Sequence, residues 1–363
     1  MRVLVTGCHG YIGSVLVPML LGEGHLVHGI DSNWFEPCAL FPAASEAPST
    51  TIDLRDVRAG DVEGFDAVIH LAALSNDPLS NLDPGLTFQI NHLAAVRLAK
   101  LARRARVERF LVSSSCSMYG SAGETVLTEA AELQPITPYG QSKVLADREI
   151  ALLANDDFSP IFLRNATAYG VSPRLRLDLV LNDFVAAACT SGQIVIRSDG
   201  TPWRPVVHVE DICLAFLAAL DAPREAVHNE AINVGNTDEN YRVSELAEIV
   251  TEVVPGSRVE YAPGGGPDKR CYRVDCSKLG RVLPHYRPRW NVHRGAAQLA
   301  DAYRRHGLTT DDIESGKFLR LRRLRELLDE RRLTADLRWQ ATGQTTAAEE
   351  AAHRDGRQVR LGS

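Results

Sequence analysis

The chain has 363 residues, 45% of them apolar, and a formal net charge of −6 at pH 7. This composition is typical of a globular protein with a sizeable core, and the mild negative charge disfavours nucleic acid as a partner. No stretch approaches the roughly 20 uninterrupted apolar residues that cross a bilayer, so we expect no membrane partner either.

The first half of the chain alternates short apolar strands with helical stretches. We predict strands at Arg2–Thr6, Leu26–Ile30, Ala67–Leu71, Phe110–Ser113 and Ile161–Arg164, and helices at Tyr11–Leu21, Asn91–Arg104 and Gly140–Leu153. This alternation is typical of parallel strands covered by helices on both faces. The predicted fold class is therefore α/β, with a doubly wound parallel sheet.

The second half of the chain loses this regular alternation from about Val171. It contains predicted helices near Leu179–Thr190 and Val243–Val254 and a strand near Gln193–Arg197. We predict a first domain at residues 1–170, with returns to its sheet around 205–240, and a smaller lobe mainly at 171–305. Residues 306–340 are predicted to form a peripheral helical extension, and residues 341–363 a disordered tail.

The seven cysteines are scattered and include no C-x-x-C pair. This pattern predicts reduced thiols, no metal site and a cytoplasmic location. The chain opens on a strand and a turn rather than on a charged leader with a long apolar core, so we do not expect secretion.

A glycine-rich turn follows the first predicted strand, with Gly7, Gly10 and Gly13 at every third position before an apolar helix. Glycines let backbone N–H groups approach a phosphate, and the helix N-terminus adds partial positive charge. Asp31 ends the next strand, where an acidic side chain can accept hydrogen bonds from an adenosine ribose. A carboxylate there repels a 2′-phosphate, so the sequence predicts NAD rather than NADP.

Tyr139 and Lys143 are four residues apart on a predicted helix and therefore lie on one face of it. A lysine charge and a positive nicotinamide ring can together lower the pKa of a tyrosine enough for proton transfer near neutral pH. Upstream, a buried strand runs into Ser113-Ser114-Ser115-Cys116-Ser117. For Ser113, Ser114 and Ser117 turn chemistry at a strand end is the favoured interpretation.

These motifs together resemble the extended short-chain dehydrogenase/reductase family, in its NAD-dependent nucleotide-sugar epimerase/dehydratase group. The resemblance covers most of the chain, to about residue 290, and implies an NAD-binding Rossmann domain with a smaller C-terminal substrate-binding lobe. It implies Ser115, Tyr139 and Lys143 as the catalytic residues. The implied cofactor-binding residues are Gly7, Gly10, Tyr11, Ile12, Gly13, Asp31, Asp53, Leu54, Leu71, Ala72, Ala73, Asn91 and Ser113, together with Tyr139 and Lys143. In the family, the residue at Asp53 bonds the adenine amino group and the one at Asn91 steadies the active site.

The same resemblance implies a nucleotide-diphosphate sugar as substrate and a homodimer; relatives commonly pair through the Tyr–Lys helix, and the sequence leaves open whether this chain does. The implied substrate-binding residues are Ser75, Ser115, Cys116, Thr167, Asn182, Arg204 and Arg270. Arg204 and Arg270 are the candidate diphosphate ligands, because a guanidinium suits phosphate oxygens. Thr167 stands where the family has a substrate-binding asparagine. For Arg204 a surface salt bridge is the alternative, and for Cys116 a packing role is favoured over acid–base chemistry.

The resemblance leaves several reactions open, because one scaffold serves 4-epimerases, 4,6-dehydratases, decarboxylases and reductases. The dehydratases carry Asp-Glu directly after the catalytic Thr, whereas this chain has Cys116-Ser117. The decarboxylases have a glutamate at the position of Ser117. We therefore predict an NAD-dependent enzyme, a 4-epimerase by elimination. A non-catalytic NAD-binding regulator is a further alternative.

Overall fold

The strands of this protein form one large sheet and several small ones, and the computed structural model describes residues 1–44, 47–266 and 270–340. In chain order, the strands in these residues are β1 (Arg2–Thr6), β2 (Leu26–Asp31), β3 (Ser49–Thr51), β4 (Ala67–His70), β5 (Arg109–Ser115), β6 (Ser121–Leu127), β7 (Ser159–Asn165), β8 (Thr167–Tyr169), β9 (Gln193–Ile196), β10 (Trp203–His208), β11 (Ala231–Val234), β12 (Asn240–Arg242), β13 (Arg258–Tyr261) and β14 (Cys271–Val274).

The helices surround the large sheet and build the smaller lobe. In chain order they are α1 (Gly13–Gly22), α2 (Asp77–Ser80), α3 (Pro84–Thr87), α4 (Ala95–Arg104), α5 (Pro138–Ala151), α6 (Val180–Thr190), α7 (Val209–Asp221), α8 (Arg224–Val227), α9 (Val243–Val253), α10 (Ser277–Val282), α11 (Val292–Arg305), α12 (Thr310–Glu314) and α13 (Arg320–Asp329). A π-helical segment, Phe88–Ala94, leads into α4.

The large sheet has seven parallel strands in the order β11-β7-β5-β4-β1-β2-β3. Its strands alternate between two cores, because successive side chains of a strand point to opposite faces. Val3 and Val5 pack with α1 and α7, whereas Leu4 packs with α4 and α5. The predicted doubly wound parallel sheet is confirmed.

The strand order reverses between β1 and β4, which are neighbours in the sheet. On one side of this point the sheet continues from β1 through β2 to β3. On the other side it continues from β4 through β5 and β7 to β11. At such a reversal the loops after the two central strands diverge and leave a crevice at the carboxyl ends. The turn after β1 and the residues after β4 therefore form the walls of this crevice.

The sequence prediction missed the outer strand β3, and it covered the other outer strand, β11, only as a return to the sheet around 205–240. β3 has three exposed polar residues, and β11 only four residues, so neither carries the hydrophobic pattern of a longer strand. The prediction also ended β5 at Ser113, whereas the strand continues to Ser115 and pairs with β7 along its whole length. Turn chemistry is therefore the wrong interpretation of Ser113 and Ser114.

A third apolar core joins α6, α9 and α11 with β9. Met1–Arg323 form one compact unit, and a second unit begins at Leu324. The functional domain boundaries proposed from the sequence stay predictions. The predicted tail at 341–363 lies outside the described residues.

Candidate active site

The glycine turn after β1 is packed so closely that side chains are excluded at two of its glycines. A Cβ atom on Gly13 would lie 2.2 Å from the carbonyl oxygen of Gly7, and one on Gly7 would lie 2.8 Å from the backbone nitrogen of Ala72. Gly7 also has a φ of +76°, which favours glycine. The turn thus brings bare backbone to the N-terminus of α1, the arrangement that binds phosphate groups.

A crevice runs from this turn along the ends of β2 and β4. Its lining includes eleven of the residues predicted to bind the cofactor, namely Gly7, Gly10, Tyr11, Ile12, Gly13, Asp31, Asp53, Leu54, Leu71, Ala72 and Ala73. The Asp31 carboxylate accepts hydrogen bonds from the backbone N–H groups of His9 (3.0 Å) and Asn33 (2.9 Å), which fix its position at the crevice. The Asp53 carboxylate accepts bonds from Arg55. These residues fit a dinucleotide: bare backbone for the phosphates and fixed carboxylates for the adenosine hydroxyl and amino groups.

A cavity of about 630 Å³ adjoins the crevice, and Ile12, Leu71, Ala73 and Ser75 line both. Of the predicted catalytic and substrate-binding residues, Ser75, Ser115, Tyr139, Lys143, Thr167, Arg204 and Arg270 line this cavity, as does Ser113. Residues up to 195 positions apart in the chain, Ser75 and Arg270, thus meet at one place. The cavity has the size of a small-molecule site.

Tyr139 and Lys143 project into the cavity from α5, whose first turn is capped by the Thr137 hydroxyl. The Lys143 ammonium lies 5.9 Å from the centre of the Tyr139 ring and donates a 2.7 Å hydrogen bond to the carbonyl oxygen of Ser113. The Ser115 hydroxyl, at the end of β5, hydrogen-bonds with Tyr139 and with Ser117. The structure therefore brings the three predicted catalytic residues together.

Burial sets the protonation of this group in the protein. It raises the pKa of Tyr139 to about 12, against a lowering by the hydrogen bond with Ser115. It lowers the pKa of Lys143 to about 8, and the charge of Asp147 opposes this decrease. From the sequence, Lys143 and a nicotinamide ring are together expected to lower the pKa of Tyr139. In the protein alone, burial has the largest effect on the pKa of Tyr139 and raises it. A further positive charge beside the phenol is therefore required to bring this pKa towards neutral pH.

The lowered pKa of Lys143 predicts a specific pH dependence of stability. Between about pH 8 and 10.5 the unfolded chain binds more protons at this lysine than the folded chain does, so the contribution of Lys143 to the free energy of unfolding rises with pH across this window. The pKa difference corresponds to about 3 kcal/mol. We expect Lys143→Met to lose this rise, as measured by urea unfolding at pH 7.5 and 10.5.

A matched control for this measurement is Lys100→Met, because Lys100 is exposed on α4. This variant should have the same pH dependence of stability as the unaltered protein. An unchanged pH dependence in the Lys143→Met protein would show that Lys143 does not make this contribution.

Arg204 and Arg270, the predicted diphosphate ligands, both line the cavity. The Arg204 guanidinium is mostly buried and donates to the backbone carbonyls of Trp203 and Arg270. Arg270 forms a 2.7 Å ion pair with Asp77. Two guanidinium groups on one wall give the cavity a positive side suited to an anion. Asp268 and Lys269, which precede Arg270 in the sequence, lie outside the described residues.

Three predicted site residues do not line either the crevice or the cavity. Cys116 is fully buried, donates its thiol to the Arg164 carbonyl and packs with Tyr119 and Tyr272, and burial raises its pKa well above the usual value. Cys116 was predicted to contact the substrate, but it does not line the cavity. Its position favours the alternative, a packing role.

Asn182 and Asn91 are the other two, and both are buried. The Asn182 amide bonds the backbone of Gly170 and Arg176 and the Tyr11 hydroxyl, so it faces the protein rather than a substrate. Asn91 bonds the backbone of Leu74 and the hydroxyl of Ser142. Asn91 is therefore placed to position α5 against the loop after β4, consistent with a steadying role rather than with direct contact.

The sequence reasoning missed several polar residues that line the cavity, chiefly Arg176 and Asp178. Arg176 lines both the cavity and the crevice, forms an ion pair with Asp178 at 2.8 Å and donates to the Ser75 hydroxyl. In the sequence these residues alternate with leucines, Arg174-Leu-Arg-Leu-Asp178, a pattern that indicates an exposed strand edge rather than a site. Only the fold shows that both charges point inward.

The described residues contain neither a metal-binding cluster nor a membrane-crossing helix. No group of three or more His, Cys, Asp or Glu residues among them could hold a metal ion. Within the same part of the chain, no helix has both the length and the apolar character that a membrane crossing needs.

Comparison with known proteins gives consistent results. A sequence model of the NAD dependent epimerase/dehydratase family matches residues 3–235. The chain is 28% identical over 313 residues to a UDP-glucose 4-epimerase of Mycolicibacterium smegmatis, with 84% of this chain and 99% of the relative covered. It is 27% identical over 323 residues to UDP-glucuronic acid decarboxylase 1 of Arabidopsis thaliana, with 86% and 72% covered. Among solved structures, MoeE5 in complex with UDP-glucuronic acid and NAD has a TM-score of 0.74 at 28% identity, with 84% of this chain and 99% of MoeE5 covered.

Proposed function

This chain belongs to the NAD dependent epimerase/dehydratase family, and we propose that it is a nucleotide-sugar 4-epimerase that retains its NAD through each turnover. The observation that carries the proposal is the meeting of Ser115, Tyr139 and Lys143 on the wall where a dinucleotide crevice opens into a cavity with a positive side. A UDP-glucose 4-epimerase and a decarboxylase of a UDP-sugar are both relatives of the chain over most of its length.

Each of the three residues has a proposed task at the sugar hydroxyl. Bound NAD supplies the acceptor and the donor of the hydride. The ionised phenol of Tyr139 takes the hydroxyl proton as the sugar carbon is oxidised and returns it on reduction. The Ser115 hydroxyl, already bonded to Tyr139, orients the substrate oxygen, and the Lys143 ammonium favours the ionised phenol. Arg204 and Arg270 are proposed to bind the diphosphate of the substrate.

The residues next to Ser115 favour epimerisation over dehydration or decarboxylation. Elimination of water needs an acid and a base beside the sugar, and Cys116 is turned away into an apolar cluster with its pKa raised. Ser117 is not ionisable near neutral pH, and its hydroxyl is bonded to Ser115. Proton removal at a second carbon therefore lacks a base in this segment, whereas epimerisation at one carbon needs only the phenol.

A panel of UDP-, dTDP-, GDP- and CDP-sugars, followed by NMR with the purified protein, tests the proposal. We expect one sugar to be converted into its 4-epimer, without net change in NAD because the hydride returns to the same carbon. Release of water or of carbon dioxide would instead identify a dehydratase or a decarboxylase. Consumption of reduced cofactor would identify a reductase, and bound NAD without turnover of any sugar would identify a non-catalytic regulator.

We also propose a cytoplasmic location and a homodimer formed through α5. All seven cysteines are free thiols, in keeping with a reducing compartment. Leu145 on α5 and Leu152, which directly follows α5, are both exposed, and Leu93 is exposed on the helical segment packed beside α5. Exposed leucines on adjacent helices are typical of an interface. Sedimentation should give a dimeric mass that falls to a monomeric mass in Leu145→Glu, whereas a monomeric unaltered protein would exclude this interface.

A further inference from the structure

Arg320, at the start of α13, lies in the wall of the dinucleotide crevice although it is far from the glycine turn in the sequence. It also lies beyond the residues that the family sequence model matches, which end at 235. Its side chain is 2% exposed. A charged group this deeply buried is unusual unless it has a partner of opposite charge.

The partners of Arg320 within the protein leave part of its guanidinium unused. One terminal nitrogen donates a 2.9 Å bond to the Arg174 carbonyl, and the group lies 4.7 Å from the centre of the Phe35 ring and contacts Cys38. The other terminal nitrogen is among the buried polar atoms of the described residues that have no hydrogen-bond partner. An unmet buried donor of a cation has a large energetic cost, which an anion in the crevice would remove.

The electrostatic surroundings of Arg320 also indicate a missing anion. Burial lowers its pKa to about 10, and the positive charge of Arg176 adds to this effect. Arg176 lines the same crevice but already has Asp178 as a bidentate partner. Among the described residues, no carboxylate is bonded to Arg320. Two like charges in one wall, of which only one is neutralised, favour the binding of a negatively charged group between them.

We infer that Arg320 binds the diphosphate of the dinucleotide, so that a residue of the C-terminal region completes the cofactor site. The same crevice is lined by the glycine turn at the N-terminus of α1, where a diphosphate is expected from the backbone geometry. A guanidinium can donate two N–H groups to phosphate oxygens, and the unpartnered nitrogen of Arg320 is available for this contact. The inference depends on dinucleotide binding and not on which sugar reaction follows.

The test measures the binding of NAD, ADP and adenosine to nucleotide-free protein by calorimetry. Arg320→Gln removes the charge, and we expect the Kd of NAD and of ADP to rise by about 10- to 100-fold. Adenosine has no phosphate, so its Kd should change less than about twofold. Arg320→Lys keeps the charge without the planar fork and should give an intermediate loss for NAD and ADP.

Arg322→Gln is the matched control, because Arg322 is exposed two residues further along and donates to the carbonyl of Glu314. It should bind all three ligands as the unaltered protein does. The melting temperature of each ligand-free variant, together with its circular dichroism, reports on folding. If Arg320→Gln does not fold, Arg320→Lys supplies the comparison.

Equal weakening of adenosine and ADP binding would overturn the inference, since Arg320 would then shape the crevice without contacting phosphate. Unchanged binding of NAD and ADP to Arg320→Gln would overturn it too, and would leave the proposed enzyme function intact. If the unaltered protein bound neither NAD nor ADP, the proposed function would fail together with the inference.

Discussion

Replacing Tyr139 by phenylalanine is expected to lower kcat by about 100- to 10,000-fold, the usual contribution of a general acid–base group. The change removes only the hydroxyl that hydrogen-bonds with Ser115, and the ring keeps its place on α5 beside Lys143. The fold and the binding of NAD should therefore persist. Initial rates on the substrate found in the sugar panel, together with an NAD titration, measure both effects.

A control for the loss of a phenol is Tyr261→Phe. Tyr261 is exposed at the end of β13 and does not line the cavity. Its variant should have the activity of the unaltered protein. Near-normal activity of Tyr139→Phe would remove this phenol from the mechanism, and loss of NAD binding in the same variant would point to a structural role.

Replacing Gly13 by alanine is expected to abolish useful NAD binding, with an increase in Kd of at least about 100-fold. The new Cβ would lie 2.2 Å from the Gly7 carbonyl oxygen and 2.6 Å from that of Cys8. Both atoms belong to the backbone of the turn, so relief requires the turn itself to open and to displace the N–H groups that face the crevice. Overpacking of this kind also destabilises by about 1 to 3 kcal/mol.

Gly22→Ala offers the matched control, since Gly22 ends the same helix and a Cβ there would meet nothing within 4 Å. Alanine is the better helix former, so this variant should be as stable as the unaltered protein or slightly more stable. Isothermal titration with NAD and thermal unfolding of both variants separate the two positions. Equal affinities in Gly13→Ala and Gly22→Ala would show that the turn does not bind the cofactor.

The catalytic group and the crevice were predictable because their signals are local in the sequence. The spacing of Gly7, Gly10 and Gly13 describes one turn, and the four-residue spacing of Tyr139 and Lys143 describes one helix face. Asp31 is the last residue of its strand. Each of these patterns involves residues only a few positions apart. It can therefore be recognised in the sequence without knowledge of the fold.

Residues whose roles depend on distant partners were not predictable in this way. Cys116 is next to Ser115 in the sequence, yet it faces the opposite direction and packs against Tyr272. Asn182 is bonded to Tyr11 from 171 positions away. No local pattern records such contacts, so the resemblance alone assigned both residues to the substrate.

The sequence by itself determined the alternation of strands and helices, the phosphate-binding turn and the pairing of phenol and ammonium. The first follows from the periodicity of apolar residues, and the other two follow from the spacing of residues a few positions apart. Only the tertiary structure decided how deeply Tyr139 and Lys143 are buried, and hence the direction of their pKa changes. It also decided that Arg176 and Arg320 reach one crevice with the glycine turn. Burial and long-range charge are collective properties of the packed chain, and a side chain acquires them only when distant segments close around it.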